Sequence, residues 1–463
     1  MRKFDLNIEK ILENWEVYHA VRELIANAID EQILSRTIPI EIYKENGKWI
    51  IQDFGRGIKY TSLTQNENQE KLNNSQVIGK FGIGLKDALA TLHRHYVSVT
   101  ILSKFNKITT ELLPKEGFKD IQTLHAMIDE NVDPALVGTR VCLNNIADED
   151  IEKAKKLFLM FSGSDILSIT KHGEVVSKTS NVASIYINGV KIAEEENFLF
   201  SYNITNISAQ IKKALNRERS NVGRTAYTST IKNILLSSRS EAVARPLALE
   251  LEKYSTGEFS DELQWIDIQE HAIKILNPTG KYVFLTNFEA TTNNSMIDEI
   301  KSSGKTLIII PENLREKIRG GTDIDGKPIW DLHQFEEEYE DSFEFHFINE
   351  DDLNPQEKIT HSHTKNIVKL FGGLPREVKS ISISETMRKD FCSSHETLGC
   401  WDPKTRSIVI LRSQLESLPD YCGTLIHELI HAKTGFEDVD RDFENELTHH
   451  IGKYLSQLLT KKL

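Results

Sequence analysis

From Val17 to Gln32, apolar and polar residues recur with the period of an α-helix. Val21, Leu24, Ile25 and Ala28 fall on one face, and Glu23, Asn27 and Asp30 share the other at i, i+4 and i+7. The pattern then shifts to period two. Ile38, Ile40 and Ile42 alternate as in a half-buried strand, Asn46-Gly47 marks a hairpin, and "KWIIQD" returns as a second strand ending at Asp53. Gly55 and Gly57 follow, where the backbone can approach a ligand closely. In "VIGKFGIGLKDALATL", Gly79, Gly82 and Gly84 form a glycine-rich turn that opens into a helical pattern, and a helix N-terminus of this kind is an anion site. Between Gly57 and Gly79 the chain is polar and rich in Asn and Gln, the texture of a lid loop.

Further along, "SIYINGVKI" reads as another hairpin, with Ile185, Ile187 and Val190 around Asn188-Gly189. "AQIKKALNRERSNVGRTAY" starts as a helix and ends in a polar loop. "KYVFLTNF" and "KTLIIIPENL" have strand length, and "NNSMIDEIKSSG" between them reads as a helix with a glycine stop. That rhythm predicts a small α/β connector over 276–375. Asp331 to Asp352 holds ten acids and no Lys or Arg. Phe343, Phe345 and Phe347 alternate inside it, so "SFEFHFI" is expected to be a strand on a solvated acidic face, with a basic partner as a less favoured use.

Near the C-terminus "YCGTLIHELIHAKTG" has helical spacing, with Leu425, Leu429 and Ile430 around two histidines and Gly435 as its stop. His427 and His431, at i and i+4, project from one face, as a tetrahedral zinc requires, and Glu428 stands one position round. A catalytic zinc needs a third protein ligand. Asp440 is expected to cap a following helix on which Phe443, Leu447, Ile451, Tyr454, Leu455 and Leu458 make one apolar face. Glu444 falls in that arc and Glu446 outside it. A buried carboxylate asks for a metal or a partner, so Glu444 is the expected ligand and His450 the runner-up. Upstream, "LGCWDPKTRSIVIL" reads as a hairpin whose edge strand could hold a peptide by β-augmentation. Cys392, His395 and Cys400 form a competing, less specific thiol–imidazole set.

Length and charge narrow the reading. At 463 residues, two to four domains are expected. A net charge of −13 disfavours binding to phosphate backbones, so direct nucleic-acid binding is not expected. Four scattered cysteines make no disulfide framework, and no apolar run reaches the length of a membrane span. A cytoplasmic protein without membrane contact is expected.

The ordered motifs E-x-x-x-N-A-x-D, D-x-G-x-G and G-x-x-G-x-G resemble the GHKL ATPases, which include the Hsp90 chaperones, MORC proteins, type II topoisomerase ATPase domains and MutL. The resemblance implies a Bergerat-type α/β sandwich that binds ATP and Mg²⁺. It implies Glu23 as general base for the attacking water, Asn27 as Mg²⁺ ligand, and Asp53 as acceptor for the adenine amino group. Asp30, Gly55 and Gly57 belong to the same cofactor-binding motifs. Gly79, Gly82 and Gly84 would wrap the phosphates, and Thr139 in "LVGTRVCL" would lie beside Asp53. "LNRERSNVGR" is similar to the Hsp90 arginine loop, implying Arg217 as γ-phosphate sensor in a transducer-like domain, with Arg219 and Arg224 next. The C-terminal motif with Glu444 resembles the gluzincins.

The expectation is an α+β multidomain chain: an ATPase domain over 1–165, a transducer-like α/β domain over 166–275, the connector over 276–375, and a mostly helical zincin-like domain over 376–463. Its expected function is an ATP-regulated zinc metallopeptidase acting on a protein substrate, with Glu428 as the base and dimerisation through the ATPase module. The two-module design resembles bacterial stress or antiphage systems. The alternatives are an Hsp90-like or MORC-like clamp whose zinc domain only binds, and a DNA-associated ATPase.

Overall fold

The computed structural model describes residues 2–7, 15–63, 70–71, 74, 76–79, 84–215, 222–389, 397–438 and 440–460. The chain divides into two compact units, residues 1–280 with 308–329, and residues 281–307 with 330–463.

The first unit opens with a seven-stranded sheet. Its strands are β1 (Arg2–Asp5), β2 (Glu41–Glu45), β3 (Lys48–Gln52), β4 (Ser98–Ser103), β5 (Lys107–Lys115), β6 (Phe118–Asp129) and β7 (Thr139–Asn144), in the order β1-β6-β5-β4-β7-β3-β2. Every pairing is antiparallel. The β2–β3 hairpin turns at Asn46 and Gly47 with φ of 47° and 76°, the left-handed pair that a type I′ turn demands. Helices α1 (Val17–Ser35), α2 (Gly84–Arg94) and α3 (Asp148–Lys155) complete the layer. Val21, Leu24, Ile25 and Ala28 of α1 share one core with Leu89 and Leu92 of α2 and with Ile51, Val99, Ile101 and Leu143 of the sheet. The helical face read from the sequence is thus the buried one. Its opposite face looks into a cleft between helix and sheet.

A second sheet follows, β11-β10-β12-β9-β8, from β8 (Ile166–Ile169), β9 (Gly173–Val176), β10 (Ala183–Ile187), β11 (Val190–Glu195) and β12 (Ser201–Ile204). The β10–β11 hairpin turns at Asn188-Gly189, as its sequence indicates, and β10 pairs with β12 in parallel. Helices α4 (Ala209–Ala214), α5 (Thr228–Ser237), α6 (Glu241–Glu250) and α7 (Ile266–Leu276) follow. Glu262 is fully buried here, accepting from Leu199 N–H (2.9 Å) and Tyr202 O–H (2.8 Å). The stretch 276–375, read as a connector, is shared between the units. Its residues 308–329 belong to the first, where Lys317 pairs with Glu270 (2.9 Å) and Asn277 donates to Asp323 (2.7 Å).

The second unit begins with β13 (Tyr282–Leu285) and α8 (Asn294–Ser302), and β14 (Thr306–Ile309) spans the division at 307/308. Next comes α9 (Leu332–Ser342), capped by Asp331, whose side chain accepts from Gln334 N–H (2.9 Å). The strand expected across "SFEFHFI" shrinks to β15 (Phe347–Ile348). Its glutamate-rich lead-in is helical, and ladder pairing is confined to Phe347 and Ile348, opposite Ser384 and Ile383. The core sheet is β15-β16-β18-β17, with β16 (Ser380–Ser384), β17 (Gly399–Asp402) and β18 (Ser407–Leu411). Strands β16 and β18 run parallel, and β17 is an antiparallel edge. Against this sheet lie α10 (Thr364–Phe371), α11 (Leu418–Thr434) and α12 (Arg441–Thr460), through a core that includes Ile408, Ile410, Leu425, Leu429 and Phe443. Gly435, at φ 72°, ends α11 as expected. The apolar face expected along α12 is buried only near its start. Ile451, Leu455 and Leu458 are exposed, because the helix runs on past the core it packs against. Among the described residues, no helix is long and apolar enough to cross a membrane.

Candidate nucleotide and metal sites

The cleft in the first unit has a volume of about 750 Å³ and collects most of the residues read as a nucleotide site. Glu23, Asn27, Asp53, Gly57, Gly79, Gly84 and Thr139 all line it, brought together from α1, the β3 exit, the α2 entry and β7. Asp53 is buried, and its Oδ1 accepts from the N–H groups of Gly55 (2.9 Å) and Thr139 (3.1 Å). Burial raises the Asp53 pKa against these hydrogen bonds. Gly138 explains the G-T motif in steric terms. Its φ is +74°, and a Cβ there would stand 1.9 Å from the Asp53 carbonyl oxygen. A Cβ on Gly84 would lie 2.4 Å from Glu23 Oε2, so the first turn of α2 backs directly onto that carboxylate. Gly82 lies outside the described residues.

The polar groups form three hydrogen-bonded sets that spacing did not foretell. Arg22 is buried and donates to Glu23 Oε1 through Nη2 (2.9 Å) and Nε (3.1 Å). Asp30 is fully buried. Its Oδ1 accepts from Ile78 N–H (2.5 Å), and its Oδ2 from Gly79 N–H (2.8 Å) and Lys71 Nζ (2.9 Å). Asp30 therefore anchors the glycine-rich segment. Lys71, which the sequence reading left inside the lid loop, also donates to Asn27 Oδ1 at 3.1 Å. Arg56 binds both oxygens of Glu31 (2.9 and 3.0 Å) and reaches Glu70 (3.0 Å), tying the D-x-G-x-G turn to α1. The sequence signal for that tie is the arginine between Gly55 and Gly57.

Of the candidate γ-phosphate sensors, Arg217 and Arg219 lie outside the described residues. Arg224 does not line the cleft. Its guanidinium pairs with Asp261 (2.6 Å) and Glu195 (3.6 Å) and stacks over Phe198.

In the second unit, α11 places His427 Nε2 and His431 Nε2 3.1 Å apart. The third group beside them is Asp438, whose Oδ1 stands 2.7 Å from His427 Nε2 and 3.0 Å from His431 Nε2. Tetrahedral zinc with ligand bonds of 2.0–2.1 Å separates its ligand atoms by about 3.3 Å, so this donor set fits Zn²⁺ with little movement. His431 Nδ1 donates to the Phe436 carbonyl (2.6 Å), which leaves Nε2 as the metal-facing nitrogen.

The structure places Asp438, and not the expected Glu444, beside the two histidines. Glu444 is exposed, because Phe443 takes the inward position on the first turn of α12 and stacks on His431 at 4.4 Å. Asp438 belongs to the loop before that helix, where helical periodicity has no bearing. The runner-up, His450, is buried against Phe371 at 4.5 Å and is not part of the cluster. Glu428 is buried. Burial, then the Asp438 carboxylate, pushes it up to about 8, against a hydrogen bond from the Trp401 backbone. A Cβ on Gly399 would lie 3.1 Å from Glu428 Cγ, so edge strand β17 passes directly over this acid. Cys400, on the same strand, is pushed to about 11 by burial, while Cys392 and His395 lie outside the described residues.

Comparison with known proteins bears on the first unit. The family model described as histidine kinase-, DNA gyrase B-, and HSP90-like ATPase matches residues 15–139. A second, described as the Mycoplasma pneumoniae MPN635 N-terminal domain, matches residues 149–241. An uncharacterised Mycoplasma pneumoniae protein is 44% identical over 246 residues, covering 51% of this chain and 98% of that protein. Another from the same organism is 26% identical over 347 residues, covering 68% of this chain and 96% of its own length. With a cleft built on the E-x-x-x-N, D-x-G-x-G and glycine-rich motifs, this chain belongs to the family of the first of these mycoplasma proteins and carries a GHKL-type ATPase domain at its N-terminal end.

Proposed function

We propose that the chain is an ATP-regulated zinc metallopeptidase, in which the GHKL module gates a hydrolytic site in the second unit. The observation that supports this most is the convergence of His427, His431 and Asp438 within 2.7–3.1 Å of one another, the two histidines lying on the helix that also carries buried Glu428. In the first unit, Asn27 and the phosphates would share Mg²⁺, Glu23 would take the proton of the attacking water, and Asp53 would hold the adenine amino group. One amide oxygen suffices for a metal that keeps several waters.

In the second unit His427, His431 and Asp438 would hold Zn²⁺, which when bound supplies Lewis acidity. Glu428 would accept a proton at its carboxylate and return it to the leaving amine. Edge strand β17 offers backbone groups on which an extended protein substrate could pair. Dimerisation through the ATPase module and a role in a stress or antiphage response are part of the same proposal.

The test is elemental analysis of the purified chain together with a substrate trap. One zinc per chain, lost in Asp438→Ala, and a protein held uncut by Glu428→Gln are expected. No zinc, or proteolysis undiminished in Glu428→Gln, would turn the reading toward an ATPase clamp whose second unit only binds. Glu23→Ala should trap ATP and fix the protease in one state.

A further inference from the structure

The Asn27–Asp30 pair already has a cation. The Lys71 side chain is only 16% exposed, and its ammonium lies between Asn27 Oδ1 (3.1 Å) and Asp30 Oδ2 (2.9 Å). It sits against Gly79, where a Cβ would come within 3.5 Å of Nζ. Asp30 is fully buried, so a positive charge beside it offsets a carboxylate cut off from water. Asn27 is the residue that the family resemblance assigns to Mg²⁺. An ammonium and a hydrated divalent ion brought to the same amide oxygen repel each other, so they compete for Asn27.

We propose that Lys71 is a built-in placeholder for the divalent cation. It neutralises Asp30 and occupies Asn27 while the cleft is empty, and it must leave Asn27 when Mg²⁺-nucleotide enters. The displaced ammonium remains on the wall of the same cleft, within reach of the phosphates. Lys71 is thus a positioning residue with two states, and the nucleotide's metal requirement is set by competition with it. Because Asp30 also holds Ile78 N–H and Gly79 N–H, the exchange acts on the carboxylate that anchors the glycine-rich segment. The inference rests on Asn27 as the Mg²⁺ ligand.

The experiment measures ADP affinity by calorimetry on the full chain across a Mg²⁺ titration, with EDTA as the zero point. Wild type is compared with Lys71→Gln and Lys71→Arg. Removing the charge should lower the half-saturating Mg²⁺ concentration at least fivefold, because nothing competes for Asn27. It should weaken ADP binding in EDTA at least fivefold, because no ammonium meets the phosphates. Lys71→Arg keeps the charge and should stay within about twofold of wild type in both. Mg²⁺ alone should raise the melting temperature of Lys71→Gln and leave that of wild type unchanged.

Equal Mg²⁺ dependence in wild type and Lys71→Gln would overturn the placeholder. If Lys71→Gln does not fold, Lys71→Arg decides, and a fivefold fall in its Mg²⁺ requirement overturns the proposal. A wild-type affinity indifferent to Mg²⁺ would instead overturn the Asn27 assignment, and the placeholder with it.

Discussion

Asparagine at position 53 offers the sharpest probe of the nucleotide site. Asp53 Oδ1 already accepts from Gly55 N–H at 2.9 Å and Thr139 N–H at 3.1 Å. An asparagine can keep both bonds through its own Oδ1, so the turn and the start of β7 should survive. Its amide nitrogen then takes the place of the other carboxylate oxygen and presents N–H where an adenine amino group would donate. The loss is one hydrogen bond to a charged acceptor, about 1.5–3 kcal/mol, with a donor facing a donor in addition. At 1.36 kcal/mol per decade this is roughly a 10- to 150-fold weaker Kd for ATP. Guanine offers a carbonyl oxygen in place of that amino group and should suffer less or gain. Calorimetry with ADP and GDP on both proteins measures the effect, with thermal melts to show an intact fold. If Asp53→Asn bound ADP within about twofold of wild type, or lost both nucleotides equally, the adenine reading of this carboxylate would be refuted.

Three further outcomes are expected. Arg22→Ala strands buried Glu23 without its guanidinium and should lower stability by roughly 3–5 kcal/mol in urea unfolding, with partial recovery in Arg22→Ala/Glu23→Gln. On the proposed zinc reading, Asp438→Asn should cut zinc content, measured by mass spectrometry, whereas Glu444→Gln on the exposed turn should leave it unchanged. Glu262 is raised from 4.5 to about 7, chiefly by burial, so the folded chain holds a proton that the unfolded chain releases. Its contribution is complete below about pH 4.5, falls as pH rises through 7, and amounts to about 3 kcal/mol in all. Glu262→Gln should flatten that part of the stability–pH curve, and an unchanged slope in chemical denaturation would count against it.

Sequence periodicity carried far in the ATPase domain because the signals there are local. Val21, Leu24, Ile25 and Ala28 had to be buried for α1 to form a layer, which turned Glu23 and Asn27 toward the cleft. Asn46-Gly47 and Asn188-Gly189 name their own turns, since asparagine and glycine accept the left-handed conformation a two-residue hairpin needs. The same reasoning failed at Glu444. Heptad-like spacing along α12 indicated an apolar face, but spacing cannot say how far a neighbouring core extends. Phe343, Phe345 and Phe347 failed for a related reason: alternation makes a strand only where a partner edge is long enough to pair with it.

What the sequence determined by itself was the ATPase domain, marked by the order and spacing of three motifs, and the shared helix face of two histidines four residues apart. The tertiary structure decided which groups complete each site. Lys71 reaches Asn27 across 44 residues of chain, and Arg56 reaches Glu31 across 25. Asp438 enters the histidine pair from a loop with no period to read. The reason is physical. Hydrogen bonds within a helix or a turn follow from neighbouring residue types, whereas a charge that must leave water finds its partner wherever packing brings one, and packing is a property of the folded chain.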